Sequence, residues 1–213
     1  MKKTILSALV ALLLGGTAVA QDIKLAEHND SNGMPLMNAL AERHTVRSYS
    51  TQPIALDELS NLLWAAYGYN RPEVKKRTAP SAVNMQEMDI YVYTTEAIYL
   101  YNAANNTLEF VTKGDYRKEI STQPHFGVAP ISIVIVADYD RMKEKMKLAD
   151  PATLDFYAAV DCGYVSQNIY LYATAAQLGT VACGGIDREA ISKRLGLKNA
   201  KPMLAHPVGF PQE

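Results

Sequence analysis

"AIYLYNAANNTLEFV", residues 97–111, decides the fold class. Ile98, Tyr99, Leu100 and Tyr101 precede the pair Asn105-Asn106, and Leu108, Phe110 and Val111 follow it. β-Branched, aromatic and aliphatic side chains suit a pleated surface, and asparagine tolerates the positive φ of a tight reversal. The stretch therefore reads as two antiparallel strands joined by a turn. Just before it, "MDIYVYTT" alternates, which predicts a strand over 89–94. Beyond it, "ISIVIVA" (131–137) is apolar without a break, so it predicts a central strand buried on both faces.

A sheet with such a strand needs cover on each side. Leu56, Leu59, Leu62, Leu63 and Ala66 recur at helical spacing and predict a helix over 57–67, ended by Gly68. The longest helix is expected over 154–178, stopped by Gly179. Small and aromatic residues go almost all the way round it, which predicts burial on most sides. A short strand over 180–183, a helix over 188–195 with Asp187 as N-cap, and a last strand over 203–208 complete the pattern. Nearer the start, Leu36, Met37 and Leu40 form a short helical face closing at Arg43, and Pro53 breaks the chain. "NRPEVKKRTAPSAVN" (70–84) reads as a basic loop rich in turn formers. Together these elements predict an α+β fold, a mostly antiparallel central sheet covered by helices.

The 213 residues are 48% hydrophobic and 20% charged, enough for one domain with a sizeable core. A formal net charge of −1 gives no electrostatic footprint for nucleic acid. Residues 1–20 read as a secretory signal: Lys2 and Lys3, an apolar run over 5–14 interrupted only by Ser7, then Ala18-Val19-Ala20. Cleavage after Ala20 would leave 193 residues with a formal charge of −3, in the periplasm or secreted. Residues 21–33 are expected to be a loose polar lead-in, and 34–213 a single domain. Cys162 and Cys183 could pair in an exported protein, although two small buried hydrophobes are the preferred reading. Four scattered histidines without a Cys/His cluster argue against a metal site.

Three stretches could carry chemistry. "RHTVRSYS" (43–50) places Arg43 and Arg47 four apart with the Thr45 hydroxyl between them. At a helix end both guanidinium groups could converge on one phosphate, and a solvated helix terminus is the plainer alternative. In "PSAVNMQ" (80–86), Ser81, Asn84 and Gln86 enter a strand with donors and acceptors suited to a heterocycle edge, or to ordinary turn chemistry. In "VACGGID" (181–187), Gly184 and Gly185 would let a ligand approach the backbone, or simply make a tight turn.

In combination, with "DCGYVSQNIYLYATAAQLG" before the glycine pair and "HPVGFP" near the end, these stretches resemble the FMN-dependent nitroreductase family over residues 35–211. "LLWAAYGYNR" followed by "RTAPSA" is similar to the branch of SagB-type dehydrogenases. The resemblance implies FMN at a homodimer interface and ping-pong hydride transfer through flavin N5. The small organic substrate would be of nitro, quinone or azoline type, and no acid–base residue is required. By position it implies that Arg43 meets the phosphate, that Thr45 lies beside the phosphate and ribityl chain, and that Arg47 lies near the ribityl chain and the N1/O2 edge. His44 would act through its backbone. Ser81, Asn84 and Gln86 belong to the loop at the isoalloxazine ring, and Gly185, with Gly184 beside it, donates its N–H near N5 and O4. Better-known relatives continue past the last strand with basic residues, whereas this sequence stops at Glu213. Phosphate binding would then rest on Arg43 and Arg47, or recruit another cation, for which Arg77, Arg194 and Lys198 are the candidates. A donor other than soluble nicotinamide is expected for an exported protein, since NAD(P)H is scarce outside the cytoplasm. The alternative is a non-catalytic exported protein that binds a flavin or related ligand on the same scaffold.

Overall fold

The computed structural model describes residues 21–29 and 33–212. The predicted leader, residues 1–20, lies outside them. In chain order the elements are β1 (Ile23–Lys24), α1 (Leu36–Glu42), α2 (Leu56–Tyr67), β2 (Tyr69–Arg71), β3 (Lys76–Arg77), β4 (Met88–Tyr93), β5 (Ala97–Asn102), β6 (Thr107–Lys113), β7 (Ile131–Asp138), α3 (Tyr139–Lys145), α4 (Pro151–Ala175), β8 (Gly179–Thr180), α5 (Arg188–Leu195) and β9 (Ala200–Gly209).

Seven strands form one sheet in the order β1-β6-β5-β4-β7-β9-β8, each neighbouring pair antiparallel. The decisive hairpin forms as expected. Tyr101 pairs with Leu108 and Asn102 with Thr107. The Asn102 carboxamide oxygen accepts from the amides of Ala104 (2.9 Å) and Asn105 (3.1 Å), while Asn106 takes the positive φ of 50°. β7 is central, and its apolar run is explained by two cores. Ile131, Ile133 and Ile135 face α2 and α4, with Leu62, Leu63, Val165 and Ile169. Val134 and Val136 face the other layer, with Phe126, Ile186 and Ile191 of the α5 side. Each fully buried aliphatic side chain contributes about 1.5–3 kcal/mol relative to exposure.

α4 is capped by Asp150, whose carboxylate accepts from the amides of Ala152 (2.9 Å) and Thr153 (3.0 Å), and Pro151 occupies the first turn. Asp187 caps α5 through the Ala190 amide (2.9 Å). Contrary to expectation, α4 is not buried on most sides. Leu154, Ala158, Val165, Ile169 and Ala173 face the sheet, while Phe156, Ala159, Gly163 and Tyr164 are exposed. These four recur at helical spacing, so the residues that made the helix look apolar all round form a second stripe. α1 rests against α4 with only Ala39 buried, leaving Leu36, Met37 and Leu40 exposed.

Two other segments differ from the sequence reading. Residues 70–84 are not one open loop, because β2 and β3 pair as a small hairpin with Arg77 inside it. Nor is the polar lead-in loose. β1 pairs with β6, Leu25 is buried, and the Asp22 carboxylate accepts from the Phe110 amide (2.8 Å). The Ala26 and Asn29 amides donate to Ser60 Oγ (3.1 Å) and Asn61 Oδ1 (2.8 Å). These bonds are spread over several residues rather than patterned, so polar composition hid them. Cys162 and Cys183 are both buried, free thiols.

Candidate functional site

Arg43 already has non-helical dihedrals (φ −54°, ψ 117°), so residues 43–48 run on as open chain rather than as a helix end. The sheet edge positions them. The Val46 amide donates to the Thr180 carbonyl (3.0 Å), the Ser50 amide to Phe210 (2.9 Å), and the Gln212 amide to Ser48 (3.1 Å). Gly179 makes this approach possible, since a Cβ there would lie 2.6 Å from Val46 Cγ1. The arginines are thus brought together by docking on β8 and the chain's last residues, not by helical periodicity.

Tyr170 of α4 organises the group. The Arg43 guanidinium stands 5.2 Å from its ring centroid, and Thr45 Oγ1 lies 3.3 Å from its hydroxyl. That hydroxyl also accepts from the Ala182 amide (2.8 Å), two residues before the glycine pair. Behind Tyr170, His206 packs edge-on at 5.4 Å and is fully buried. Thr180 Oγ1 donates to the Pro207 carbonyl (2.9 Å), so it accepts from His206 Nδ1–H (3.1 Å), and His206 Nε2 accepts from Ser166 Oγ (2.8 Å). Burial pushes the imidazole down to about 3, so it is neutral at ordinary pH.

The glycine turn is fixed at both ends. Cys183 and Ala205 exchange amide bonds of 2.8 and 3.0 Å, and the Asp187 amide donates to Ile120 (2.8 Å). Between them Gly184 and Gly185 are exposed, and neither amide N–H has a partner among the described residues. A Cβ on either would meet nothing nearer than 3.7 Å, so the protein's own packing does not demand glycine there. Ser121 Oγ donates to the Gly185 carbonyl (2.8 Å). Cys183 Sγ is 3.7 Å from His125 Nε2, with Arg47 close enough to act electrostatically on both. Burial, then Arg47, pushes the His125 imidazole down; burial pushes the Cys183 thiol up, against Arg47. Neither Arg43 nor Arg47 forms an ion pair or donates a side-chain hydrogen bond among the described residues. Two uncommitted cations, a hydroxyl and two free backbone N–H groups together favour an anion with an attached hydrogen-bonding ring. His44 is placed differently: its Nδ1–H donates to the Glu42 carbonyl (2.8 Å) and the ring is exposed.

The 81–86 loop lies elsewhere on α4. The Ala82 amide donates to Asp161 Oδ2 (2.8 Å), and Ser81 Oγ accepts from the Gln86 amide (2.9 Å). Val83, Asn84 and Gln86 adopt positive φ values of 43°, 56° and 53°, which for β-branched valine marks a constrained turn. Val83 and Asn84 are exposed, and the Asn84 carboxamide N–H₂ is free. Gln86 is a brace rather than an open contact: Oε1 accepts from Arg77 (2.9 Å), and Nε2 donates to Lys75 O (2.6 Å) and Asn84 Oδ1 (3.2 Å). Asp161 and Tyr170 are nine residues apart, about 14 Å along the helix and on opposite faces of it. The structure therefore brings Arg43, Thr45 and Arg47 to Gly184 and Gly185, but places Ser81, Asn84 and Gln86 apart from them.

Of the candidate supplementary cations, Arg77 and Arg194 are engaged, and Lys198 forms no ion pair among the described residues. Arg77 is held between Tyr67 and Tyr69, at 4.2 and 4.5 Å from their centroids, and donates to the Tyr67 carbonyl (2.7 Å). Arg194 pairs with Glu119 (2.9 Å) over the Tyr116 ring (3.6 Å). Sequence reasoning missed Tyr170 as an organiser because an aromatic on an apolar helix reads as core. It missed Ser121 and His125 because residues 114–130 carry no periodic pattern.

Comparison with known proteins agrees with this fold. A model of the nitroreductase family matches residues 40–210. A protein of Methanocaldococcus jannaschii described as a nitroreductase is 32% identical over 190 residues, covering 84% of this chain and 93% of its own. A crystal structure described as a nitroreductase of Ralstonia eutropha superposes with a TM-score of 0.85 at 34% identity, covering 93% of this chain and 92% of that one. An FMN reductase of Bacillus subtilis is 23% identical over 163 residues, 71% of this chain and 54% of its own length. The chain belongs to the nitroreductase family and is an oxidoreductase of that family.

Proposed function

We propose that the chain is an exported, FMN-dependent oxidoreductase of the SagB-type branch. It works as a homodimer and passes reducing equivalents by a ping-pong mechanism between an unidentified donor and a small nitro, quinone or azoline compound. The observation that carries the reading is the cluster of uncommitted Arg43 and Arg47 guanidinium groups and free Gly184 and Gly185 N–H groups around Tyr170. FMN, rather than a larger flavin nucleotide, suits a site whose two free cations stand beside one hydroxyl, and one relative is itself described as an FMN reductase. When bound, the flavin supplies reversible hydride chemistry at N5, so donor and acceptor use one site in turn.

The chain's own residues bind and polarise. Arg43 and Arg47 neutralise the phosphate and the N1/O2 edge, with Thr45 bonding between them. Gly184 and Gly185 point N–H groups at the ring edge, and Ser121 holds the turn by its carbonyl. Asn84 offers its free amide from the exposed loop tip. Since that loop lies across α4 from the arginines, a complete site takes the arginine cluster of one protomer and the loop of its partner. The dimer seam is the apolar stripe of α4, where Phe156 is 62% and Tyr164 45% exposed, with Met37 of α1 at 73%. "LLWAAYGYNR" and "RTAPSA" support the branch, and the charge and hydropathy pattern of residues 1–20 supports export.

The test is an absorbance spectrum of the purified mature protein, followed by anaerobic reduction with a panel of donors. A yellow protein that releases FMN on denaturation and is reduced by a quinol faster than by NADH supports the reading. A colourless protein that ignores added FMN contradicts it. A flavin that no donor reduces would leave a binding protein.

A further inference from the structure

Beneath the 81–86 loop lies a pair of carboxyl groups that no step above uses. Glu87 is 0% and Asp161 2% exposed. Among the described residues neither Glu87 oxygen has a hydrogen-bond partner of good geometry, although the residue's own amide N–H lies close enough to act on the carboxyl. The group facing it within hydrogen-bonding reach is the Asp161 carboxyl, which at the same time accepts the Ala82 amide through Oδ2 (2.8 Å). Two buried carboxylates cannot share such a site, so the arrangement is satisfied only when one is the neutral acid. Asp161 already accepts from Ala82, so its oxygens serve best as acceptors and the proton belongs on Glu87.

The surroundings enforce this. Cys162 on α4 and Tyr67 on α2 also face Glu87, both uncharged and both pushed up chiefly by burial. Arg141 of α3, the cation that acts on Glu87, is committed elsewhere. It pairs with Asp89 (2.6 Å) and Asp138 (2.9 Å), and donates to the backbone carbonyls of Gln86 (3.1 Å) and Glu87 (3.1 Å). Burial therefore holds the Glu87 carboxyl well above the usual carboxylate range, opposed by its own backbone N–H and, more weakly, by Arg141, with Asp161 adding to the shift.

We propose that Glu87 is a positioning residue. As the neutral acid it donates to Asp161, and through the Ala82 amide the pair fixes the loop that carries Ser81 and Asn84 to the cofactor. Losing the proton sets two anions against each other under a loop already held at three positive φ values, and frees it. This rests on the flavin reading for the loop's purpose, but not for the existence of the pair.

The experiment measures two quantities from about pH 6 to about pH 10 in the wild type and in Glu87→Gln, whose amide donates at every pH. The first is hydrogen exchange of the Ala82 amide in the apoprotein, corrected for intrinsic rates. The second is FMN affinity. In the wild type the protection of the Ala82 amide against exchange and the FMN affinity are both expected to hold near neutral pH and to fall by about tenfold as the pair loses its proton, while Glu87→Gln stays flat. An Ala82 profile that is flat in the wild type, or that falls equally in Glu87→Gln, overturns the proposal. Should that variant fail to fold, the carboxyl carbon resonance of Glu87 in the wild type decides: titration above neutral supports the pair, and titration in the ordinary glutamate range overturns it. Ala82 exchange that follows the pair while no FMN binds at any pH overturns the flavin reading and leaves the pair standing.

Discussion

At the scale of single residues, Arg43 and Tyr170 carry the proposed site. Arg43→Ala removes one of the two guanidinium groups proposed to meet the phosphate, and about 1.5–3 kcal/mol per charged hydrogen bond corresponds to a 10- to 150-fold loss of FMN affinity. Fluorescence titration of the apoprotein reads it, and unchanged affinity would remove Arg43 from the site. Tyr170→Phe keeps the ring beside Arg43 but frees the Ala182 amide and Thr45, and is expected to weaken FMN binding by about tenfold while costing about 1 kcal/mol of stability. His206 gives a pH signature. The unfolded imidazole binds a proton near 6.5 and the folded one only near 3. Its contribution is therefore fully present above pH 6.5 and is lost as pH falls toward 3, by at most about 1.4 kcal/mol per unit. Denaturant unfolding of wild type against His206→Gln isolates that slope, and parallel curves over the window would contradict it. The sequence showed the arginines, the Thr45 hydroxyl and the glycine pair, but not what gathers them. Their convergence depends on Val46 meeting Thr180 across residues far apart in sequence, which no local pattern records.

Elements with strong local patterns were legible and those held by scattered contacts were not. The β5–β6 hairpin and the unbroken strand β7 follow from alternation and turn chemistry, α5 from its Asp187 N-cap, and α4 from its length of small and aromatic residues, although that reading misses its Asp150 cap and its start at Pro151. β1 and the β2–β3 hairpin do not, because two- and three-residue strands lack a period to read and their polar sequences look like loop. Yet the N-terminal segment closes the sheet edge over Leu108, with Leu25 at 3% exposure. Leu25→Ala is expected to cost about 2–5 kcal/mol, in line with other buried large-to-small changes. Deleting residues 21–29 should cost more and leave β6 as a bare edge prone to association. Calorimetry checks both, and an unchanged unfolding temperature would show the segment to be dispensable.

For the whole molecule, α4 is the axis of the account. One face builds the core, Tyr170 gathers the arginines, Asp161 holds the 81–86 loop, and the remaining apolar stripe is the proposed dimer seam. Tyr164→Asp with Phe156→Asp, placed on that stripe, should yield monomers that fold but bind FMN weakly, as sedimentation and titration would report. The proposed division of the site across α4 would explain why the sequence motifs looked complete while one protomer does not unite them. The most direct measurement mixes two protomers, one carrying Arg43→Ala with Arg47→Ala and the other Val83→Asp with Asn84→Ala. A dimer that builds each site from both chains is expected to retain half the FMN of the wild type, from the single site in which both halves are intact. Mixed dimers that bind none would contradict the shared site.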